Sequence, residues 1–312
     1  MQPNKYLLER KNNKQIDKLL NKMGRLLDEI VNFGTHVLDI CQEKYKFTEQ
    51  ETPIVTTYSQ FLSMVDGISI LIKKGTGDAI KPLLRSLLEG KFNLEYMIKE
   101  EPKKGVLAYQ VAYAHSKINE YRLADPSTQQ GKEFRRKLGD VALELPAFNT
   151  KENIKKLEEL LEAPMYKEVN DEWKRVKKEN NGRKPNWYSL FGGPKRIEDL
   201  ANHLGQGAYY EIVYRNMSSF IHAGSTIARL RKTGLDYGIN PGIRRLEELP
   251  TLLNFTVVFA LETYHMMIKK YNPDKEFYYA KWYEENIRRD FFELTQTEIK
   301  VEYVSDRELP RV

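Results

Sequence analysis

The chain has a single cysteine, Cys41, among its 312 residues. One cysteine excludes an internal disulfide and any zinc cluster built from several thiolates. So few cysteines are typical of proteins from reducing compartments, and we therefore expect a cytoplasmic protein. The polar N-terminal sequence MQPNKYLLERKNNKQ agrees with this expectation, because it lacks the apolar segment of a secretory signal peptide.

Long apolar runs without charge are also lacking. The most apolar stretch, TLLNFTVVFALETYHMMI at residues 251–268, contains Glu262 and His265, so it favours a buried helix over a membrane span. The sequence has no G-x-x-x-x-G-K-[ST] phosphate loop, H-E-x-x-H zinc helix, G-x-S-x-G elbow or EF-hand loop. ATP hydrolysis, zinc proteolysis and esterase chemistry are therefore disfavoured, and we expect no metal or other cofactor and no membrane partner.

Apolar residues recur at helical spacing along most of the chain. Hydrophobic residues make up 41% and charged residues 30%, as in an ordinary globular protein. The spacing predicts a long amphipathic helix at Leu7–Tyr45, or two helices joined near Gly34. The other predicted helices are Thr57–Lys73, a helix capped by Asp78 that runs to Lys99, Val106–Leu123, Lys132–Leu143, Lys151–Lys178 with an interruption at Pro164, Arg196–Leu204, Tyr209–Ala223, Leu246–Tyr271 and Lys275–Asp290. We therefore predict an all-α multi-helix bundle, in which only the tail FFELTQTEIKVEYV allows a short strand.

Turn-forming residues are concentrated between Asn180 and Pro194, where a hinge, a lid or a domain boundary would fit. The predicted organisation is an N-terminal helical region at 1–76, a main bundle at 77–290 that carries the candidate site, and a tail at 291–312. A single domain is the alternative.

Positive charge is concentrated in one segment. The net charge of the chain is +6, and Trp173–Arg196 contains eight basic residues against one acidic residue, Glu179. Basic side chains interleaved with aromatic rings suit a phosphate backbone and stacked bases, whereas a solvated helix end that runs into a loop is the alternative. The candidate RNA-binding residues are Lys174, Arg175, Lys177, Lys178, Arg183, Lys184 and Trp187.

Several polar residues interrupt otherwise apolar helices. Arg85 and Glu89 are four positions apart, a spacing that also suits a simple intrahelical ion pair. Ser218 and His222 have the same spacing, so the hydroxyl can fix the imidazole tautomer, or can merely satisfy a core histidine. Arg215 precedes His222 by seven positions, which places both on one face of a continuous helix.

Arg215-Asn216 followed by His222 resembles the arginine-x4–6-histidine motif of the HEPN superfamily. The resemblance implies a helical bundle that dimerises, and a metal-independent ribonuclease of toxin–antitoxin, abortive-infection or CRISPR systems. Arg196 and His203 form a second match, but Ile197 follows that arginine, whereas a polar residue follows Arg215.

The wider pattern is also similar to a family of uncharacterised bacterial helical proteins, whose activity is not established. The positions that carry this second resemblance are Arg85, Glu89, Trp187, Tyr210 or Tyr214, Ser218 and His222.

In the HEPN interpretation, His222 transfers protons to and from RNA, Arg215 stabilises charge on the phosphoryl oxygens, and Asn216 orients the phosphate or the imidazole. A second chain in a homodimer would supply the complementary acid or base. Two alternatives remain: a non-catalytic binding or scaffold protein in which Arg215 pairs with Glu89 or Glu211, and a regulatory protein partner, such as an antitoxin or adaptor, that uses the N-terminal helix.

Overall fold

The computed structural model describes residues 13–139, 141, 150–221, 230–233, 236–239 and 244–300, and only the backbone at 219–221 and in the two strands. The fold is all-α with many helices, as the sequence predicts. The helices are α1 (Lys14–Gln42), α2 (Thr52–Lys73), α3 (Gly77–Lys99), α4 (Val106–Ala124), α5 (Gln129–Leu138), α6 (Lys151–Glu162), α7 (Pro164–Glu179), α8 (Ile197–His203), α9 (Gly207–Tyr209), α10 (Asn216–Ile221), α11 (Leu249–Tyr271), α12 (Glu276–Trp282) and α13 (Arg288–Thr295). Short 3-10 turns lie at Glu49–Glu51, Trp187–Gly192 and Pro273–Lys275, and π-helical turns at Tyr210–Arg215 and Tyr283–Ile287.

The helix α1 is continuous through Gly34, so the alternative of two helices joined there is wrong. The side-chain oxygen of Asn13 caps its first turn by accepting from the Ile16 N–H at 2.9 Å. A Cβ atom at Gly34 would lie 2.3 Å from the Tyr264 hydroxyl oxygen. Glycine is therefore present for close packing against another helix and not as a helix break.

The predicted interruption of Lys151–Lys178 at Pro164 is confirmed, because Ala163 has ψ 145° before Pro164, as the steric restriction on a residue before proline requires. Other boundaries differ from the predicted ones. Asp78 lies inside the first turn of α3 and is not its cap. The last helical segment extends to Thr295, and no strand follows it at residues 296–300; the remainder of the predicted strand-like tail lies outside the described residues.

One structural element was not predicted. Strands β1 (Leu230–Thr233) and β2 (Asp236–Ile239) pair antiparallel, with Leu230 opposite Ile239 and Thr233 opposite Asp236. Four residues per strand are too few for a clear alternation of apolar and polar residues, so the strands could not be predicted from the sequence pattern.

The chain divides into two compact units, each assembled from discontinuous segments. The described parts of Met1–Thr48, Val55–Glu95 and Leu204–Val312 form the first unit, and those of Glu49–Ile54 and Tyr96–His203 form the second. These units do not follow the consecutive segments 1–76, 77–290 and 291–312.

The core of the first unit is centred on α1 and α11, which pack along one another. Tyr58 and Tyr264 are fully buried there, and their hydroxyls donate to the carbonyls of Gly34 at 2.7 Å and Ile30 at 3.0 Å. Each buried phenol therefore has a partner, so the core gains aromatic contact area without an unpaired polar group.

The core of the second unit lies around α4, which packs against α6, α7 and the 3-10 turn at Trp187–Gly192. That turn follows a loop with left-handed backbone at Asn181 and Gly182, where φ is 55° and 80°. The turn and this loop position the basic segment.

Two helical segments, Glu49–Lys73 and Leu249–Tyr271, are long and apolar enough to span a membrane by length and composition. The core helices of globular proteins pass the same test. In α11, the first unit buries thirteen residues, which include Leu253, Phe259 and Tyr264.

Candidate functional site

Arg215 lies at the end of a π-helical turn. The short helix α9 runs into this turn at Tyr210, and the turn runs into α10 at Asn216. A π turn is wider than an α-helical turn, and such turns are frequent at functional sites. The α-helical spacing that would place Arg215 and His222 on one face therefore begins only at Asn216. His222 itself lies outside the described residues.

The Arg215 side chain is 59% exposed. One guanidinium nitrogen lies 3.1 Å from a carboxylate oxygen of Glu211, and the guanidinium carbon lies 5.7 Å from the centroid of the Tyr210 ring. An exposed ion pair of this i,i+4 type contributes little to stability. The hypothesis of a non-catalytic protein predicts that Arg215 pairs with Glu89 or Glu211, and the pair with Glu211 is present.

Asn216 also makes a contact within its own helix. Its side-chain nitrogen donates to the carbonyl oxygen of Ile212 at 2.7 Å. This bond bridges the π turn and the start of α10. Asn216 thus stabilises the segment that carries Arg215, and its catalytic role stays a prediction.

Beneath this segment, Arg85 contacts Tyr214 in two ways. Its guanidinium donates to the phenol oxygen and also lies 4.3 Å from the ring centroid. A third contact, 3.2 Å to Glu89, confirms the intrahelical ion pair that the sequence offered as one interpretation. The Tyr210 ring stacks on Tyr214 at 5.1 Å, so the cluster links α3 to the π turn.

Tyr214 itself is buried, with 9% exposure. Burial raises the pKa of its phenol, and a hydrogen bond to Glu89 raises it further, while Arg85 acts in the opposite direction. The phenol therefore stays protonated at neutral pH and accepts from Arg85. Arg85 and Glu89 support the site through Tyr214.

Ser218 is half-buried in α10. The predicted contact between Ser218 and His222 involves a residue outside the described part of the chain, so it stays a prediction.

The second arginine–histidine match has a different arrangement. Arg196, which directly precedes α8, lies 3.3 Å from Asp199 in the first turn of that helix, and the His203 Nε2 atom lies 2.8 Å from a carboxylate oxygen of Glu100. The two members of the pair thus contact different carboxylates. Its geometry gives no reason to prefer this pair over Arg215 and His222.

The basic segment is partly neutralised within the second unit. Arg175 contacts Glu172 at 2.7 Å and Glu179 at 2.5 Å, and Lys174 contacts Glu162 at 3.0 Å. In the described part of the chain, the predicted RNA-binding cations with no carboxylate within ion-pair distance are Lys177, Lys178, Arg183 and Lys184. The last of these donates to the Ser116 hydroxyl at 2.7 Å.

An open cleft of about 800 Å³ follows the loop after α7. Arg183, Lys184 and Lys195 line it together with three asparagines at positions 180, 181 and 186. This size lies in the range of ligand sites, and the side chains are hydrogen-bond donors of the kind that contact phosphate. The basic segment thus forms a concave polar surface.

Trp187 packs among three tyrosine rings of the second unit. It is half-buried, and its ring makes edge contacts with Tyr96 at 5.5 Å, Tyr109 at 5.4 Å and Tyr188 at 5.5 Å. These contacts hold the 3-10 turn on the core of the second unit. The geometry therefore gives Trp187 a packing role, and its role in RNA binding stays a prediction.

The sequence analysis missed a buried polar cluster in the first unit. Lys91, only 3% exposed in its side chain, lies 3.4 Å from Glu95 and 3.1 Å from Glu262, and donates to Gln206 at 2.6 Å. Tyr209 donates to the same Glu262 at 2.7 Å. The spacing of Lys91 and Glu95 was a visible signal, but a four-residue spacing alone cannot distinguish a buried pair from an exposed one.

No group of three or more histidine, cysteine, aspartate or glutamate side chains suited to a metal occurs among the residues whose placement is described. Comparison with curated proteins and with solved structures found no match. Residues 51–236 match the family of unknown function DUF5677. This match covers more than half of the chain and includes Arg85, Tyr214 and Arg215, so the protein belongs to the DUF5677 family.

Proposed function

We propose that the protein is a metal-independent endoribonuclease of the HEPN type, with Arg215 and His222 as catalytic residues. The observation that carries the proposal is the exposure of the Arg215 side chain on an anchored turn. Its guanidinium is mostly exposed on a π-helical turn, and the buried Arg85–Tyr214 contact anchors that turn from below. A side chain kept only for packing would not need this exposure.

The proposed reaction is cleavage of RNA by its own 2′-hydroxyl. The 2′-oxygen forms a bond to phosphorus as the bond from phosphorus to the 5′-oxygen breaks, which leaves a 2′,3′-cyclic phosphate and a 5′-hydroxyl. Neutral His222 would take the 2′-hydroxyl proton, and a protonated histidine would deliver a proton to the leaving 5′-oxygen. Arg215 would stabilise the negative charge on the two non-bridging oxygens with its planar guanidinium.

One histidine cannot easily lie on both sides of the phosphorus, so the proposal includes a homodimer in which the partner chain supplies the second acid or base. The cations of the basic segment would bind the phosphates of the RNA strand. Such an enzyme fits a cytoplasmic toxin or an anti-phage defence effector, which a regulatory protein partner would control.

A second candidate function is a non-catalytic helical protein that binds RNA or acts as a scaffold. The observation that favours it is the pairing of both arginines with carboxylates on their own helices, Arg215 with Glu211 and Arg85 with Glu89. These pairs account for both arginines without a substrate.

The test is cleavage of a fluorescent RNA pool in EDTA by the wild-type protein and by Arg215→Ala, His222→Ala, Arg196→Ala and His203→Ala. We expect cutting by the wild type and by the last two variants only, with cyclic phosphate ends. Activity that depends on Arg196 and His203 would assign the reaction to the second motif. RNA retained on a filter by every variant, with no cutting by the wild type, would favour the binding protein and refute the enzyme.

A further inference from the structure

A cleft of about 610 Å³ lies within the second unit, bordered by α4, α6 and α7. Ile118 and Leu161 give it apolar walls, and basic side chains border it. Its volume is in the range of small-molecule sites, which combine apolar walls with a few placed polar groups. Its lining residues Lys174, Lys177 and Lys178 also belong to the basic segment, but none belongs to the Arg215 segment, so the inference does not depend on RNA cleavage.

The cleft contains a histidine whose tautomer can be deduced. Asn170 is 1% exposed, and its side-chain nitrogen donates to the Leu161 carbonyl at 3.2 Å and to Glu162 at 3.1 Å. These two acceptors orient the amide, so its oxygen is the atom 2.8 Å from the His115 Nε2. An amide oxygen only accepts, so His115 Nε2 carries a hydrogen, and Nδ1 has the lone pair when the ring is neutral.

His115 is also held flat and kept uncharged. Its ring stacks on the Trp173 indole with 3.6 Å between centroids and 8° between planes. Burial lowers the pKa of His115, and the charges of Lys177, Lys174 and Arg122 lower it further, against the hydrogen bond with Asn170. At neutral pH the cleft therefore has an imidazole acceptor at Nδ1, and no described donor contacts it.

Two lysines leave the cleft with a positive charge. The two lining carboxylates are each paired, Glu158 with Arg122 at 2.7 Å and Glu162 with Lys174 at 3.0 Å. Lys177 and Lys178 also line the cleft and have no carboxylate within ion-pair distance in the described part of the chain. The Lys177 nitrogen lies 5.0 Å from the centroid of the Trp173 ring.

Trp173 provides a second, independent sign of a missing partner. It is 4% exposed, and its indole nitrogen is buried without an acceptor among the described atoms. A buried donor without an acceptor is costly, and in native proteins such a donor usually has a protein, water or ligand partner. The cleft thus combines an unused donor, an unused acceptor and two unpaired cations around a flat aromatic pair.

We propose that this cleft binds a nucleoside monophosphate. Lys177 and Lys178 would bind the phosphate, and His115 Nδ1 would accept a hydrogen from an amine of the base or a hydroxyl of the ribose. A nucleotide has all the required parts, which are one doubly charged anion, N–H and O–H donors, acceptors for the indole, and a flat ring for the apolar walls. The nucleotide is either free or the phosphorylated end of an RNA strand.

Isothermal titration calorimetry tests the proposal with AMP, GMP, CMP and UMP, with inorganic phosphate, and with a short 5′-phosphorylated oligoribonucleotide. Lys177→Ser/Lys178→Ser should weaken nucleotide binding at least about tenfold, since charge-assisted hydrogen bonds are lost. The matched control is Lys155→Ser/Lys156→Ser on α6, whose lysines are 76% and 68% exposed and do not line the cleft; its affinity should be unchanged.

His115→Phe keeps an aromatic ring on Trp173 but removes the acceptor, so it should weaken nucleotide binding and leave phosphate binding unchanged. Its circular dichroism and melting temperature report whether it folds, and ¹⁵N NMR of the wild-type imidazole should show a shift at Nδ1 on binding even if the variant does not fold. Binding of the oligonucleotide alone would assign the site to an RNA end, and binding of mononucleotides to a free ligand. Absence of binding to all probes, or equal weakening by both lysine pairs, would overturn the proposal without bearing on catalysis by Arg215.

Discussion

Two alanine substitutions distinguish a catalytic Arg215 from a structural one. Arg85→Ala removes a side chain that is 23% exposed, its hydrogen bond to Tyr214 and its contact with the Tyr214 ring. A hydrogen bond to a charged group contributes about 1.5–3 kcal/mol, and a cation–π contact about 0.5–2 kcal/mol. These contributions overlap, so we expect the free energy of unfolding to fall by about 2–3 kcal/mol.

Arg215→Ala removes an exposed i,i+4 ion pair with Glu211, and we expect a loss of less than about 0.5 kcal/mol. Arg288→Ala is the matched control, because Arg288 is 54% exposed and pairs with Glu284 at the same spacing. Urea unfolding followed by far-ultraviolet circular dichroism gives all three values. A loss of about 2 kcal/mol or more for Arg215→Ala would show that Arg215 is structural, and the reasoning behind the catalytic proposal would fail.

Three further predictions concern buried groups. Gly34→Ala should cost about 1–3 kcal/mol by overpacking, because its Cβ would lie 2.3 Å from the Tyr264 hydroxyl oxygen; an unchanged urea midpoint would contradict this. Burial raises the pKa of Cys41 to about 12, so a thiol reagent should modify it only as fast as the protein unfolds, and rapid labelling of the native protein would be inconsistent with that burial. Folding lowers the pKa of His115, so the neutral imidazole contributes stability above about pH 6.5, and this stability is lost as the pH falls toward the pKa of the folded state. His115→Gln should therefore flatten the decline in melting temperature between about pH 7 and pH 5. An equal decline in both proteins would count against the prediction.

The helical architecture was predictable because an amphipathic helix has a periodic pattern of apolar residues that are close together in the sequence. Apolar residues three and four apart mark the buried face of α1, and Pro164 marks the break between α6 and α7. The role of Gly34 was not predictable, because a glycine that ends a helix and one that admits a tyrosine from a distant helix look alike in sequence. The antiparallel pair of strands at residues 230–233 and 236–239 was missed because its strands are too short for a pattern.

The candidate site follows the same division between local and distant contacts. The Arg85–Glu89 pair is local, and its spacing was enough to predict it. The contact of Arg85 with Tyr214 joins residues 129 positions apart, so only the fold shows it. His115 was not singled out at all, because its partners Asn170 and Trp173 are also far away in the sequence.

The exposure of Arg215 also constrains how it could act. Two unit charges about 4 Å apart in water interact with only about 1 kcal/mol. In a single chain the Arg215 guanidinium is 59% exposed, so its interaction with a phosphate would be close to this weak value. Stabilisation of a phosphoryl transition state requires donors that are fixed and shielded from water. The buried Tyr214 fixes the backbone of the turn, but the 59% exposure leaves the guanidinium open to water. In the proposed mechanism, bound RNA or a second chain would have to cover Arg215, and the homodimer that the HEPN resemblance implies is one way to do so.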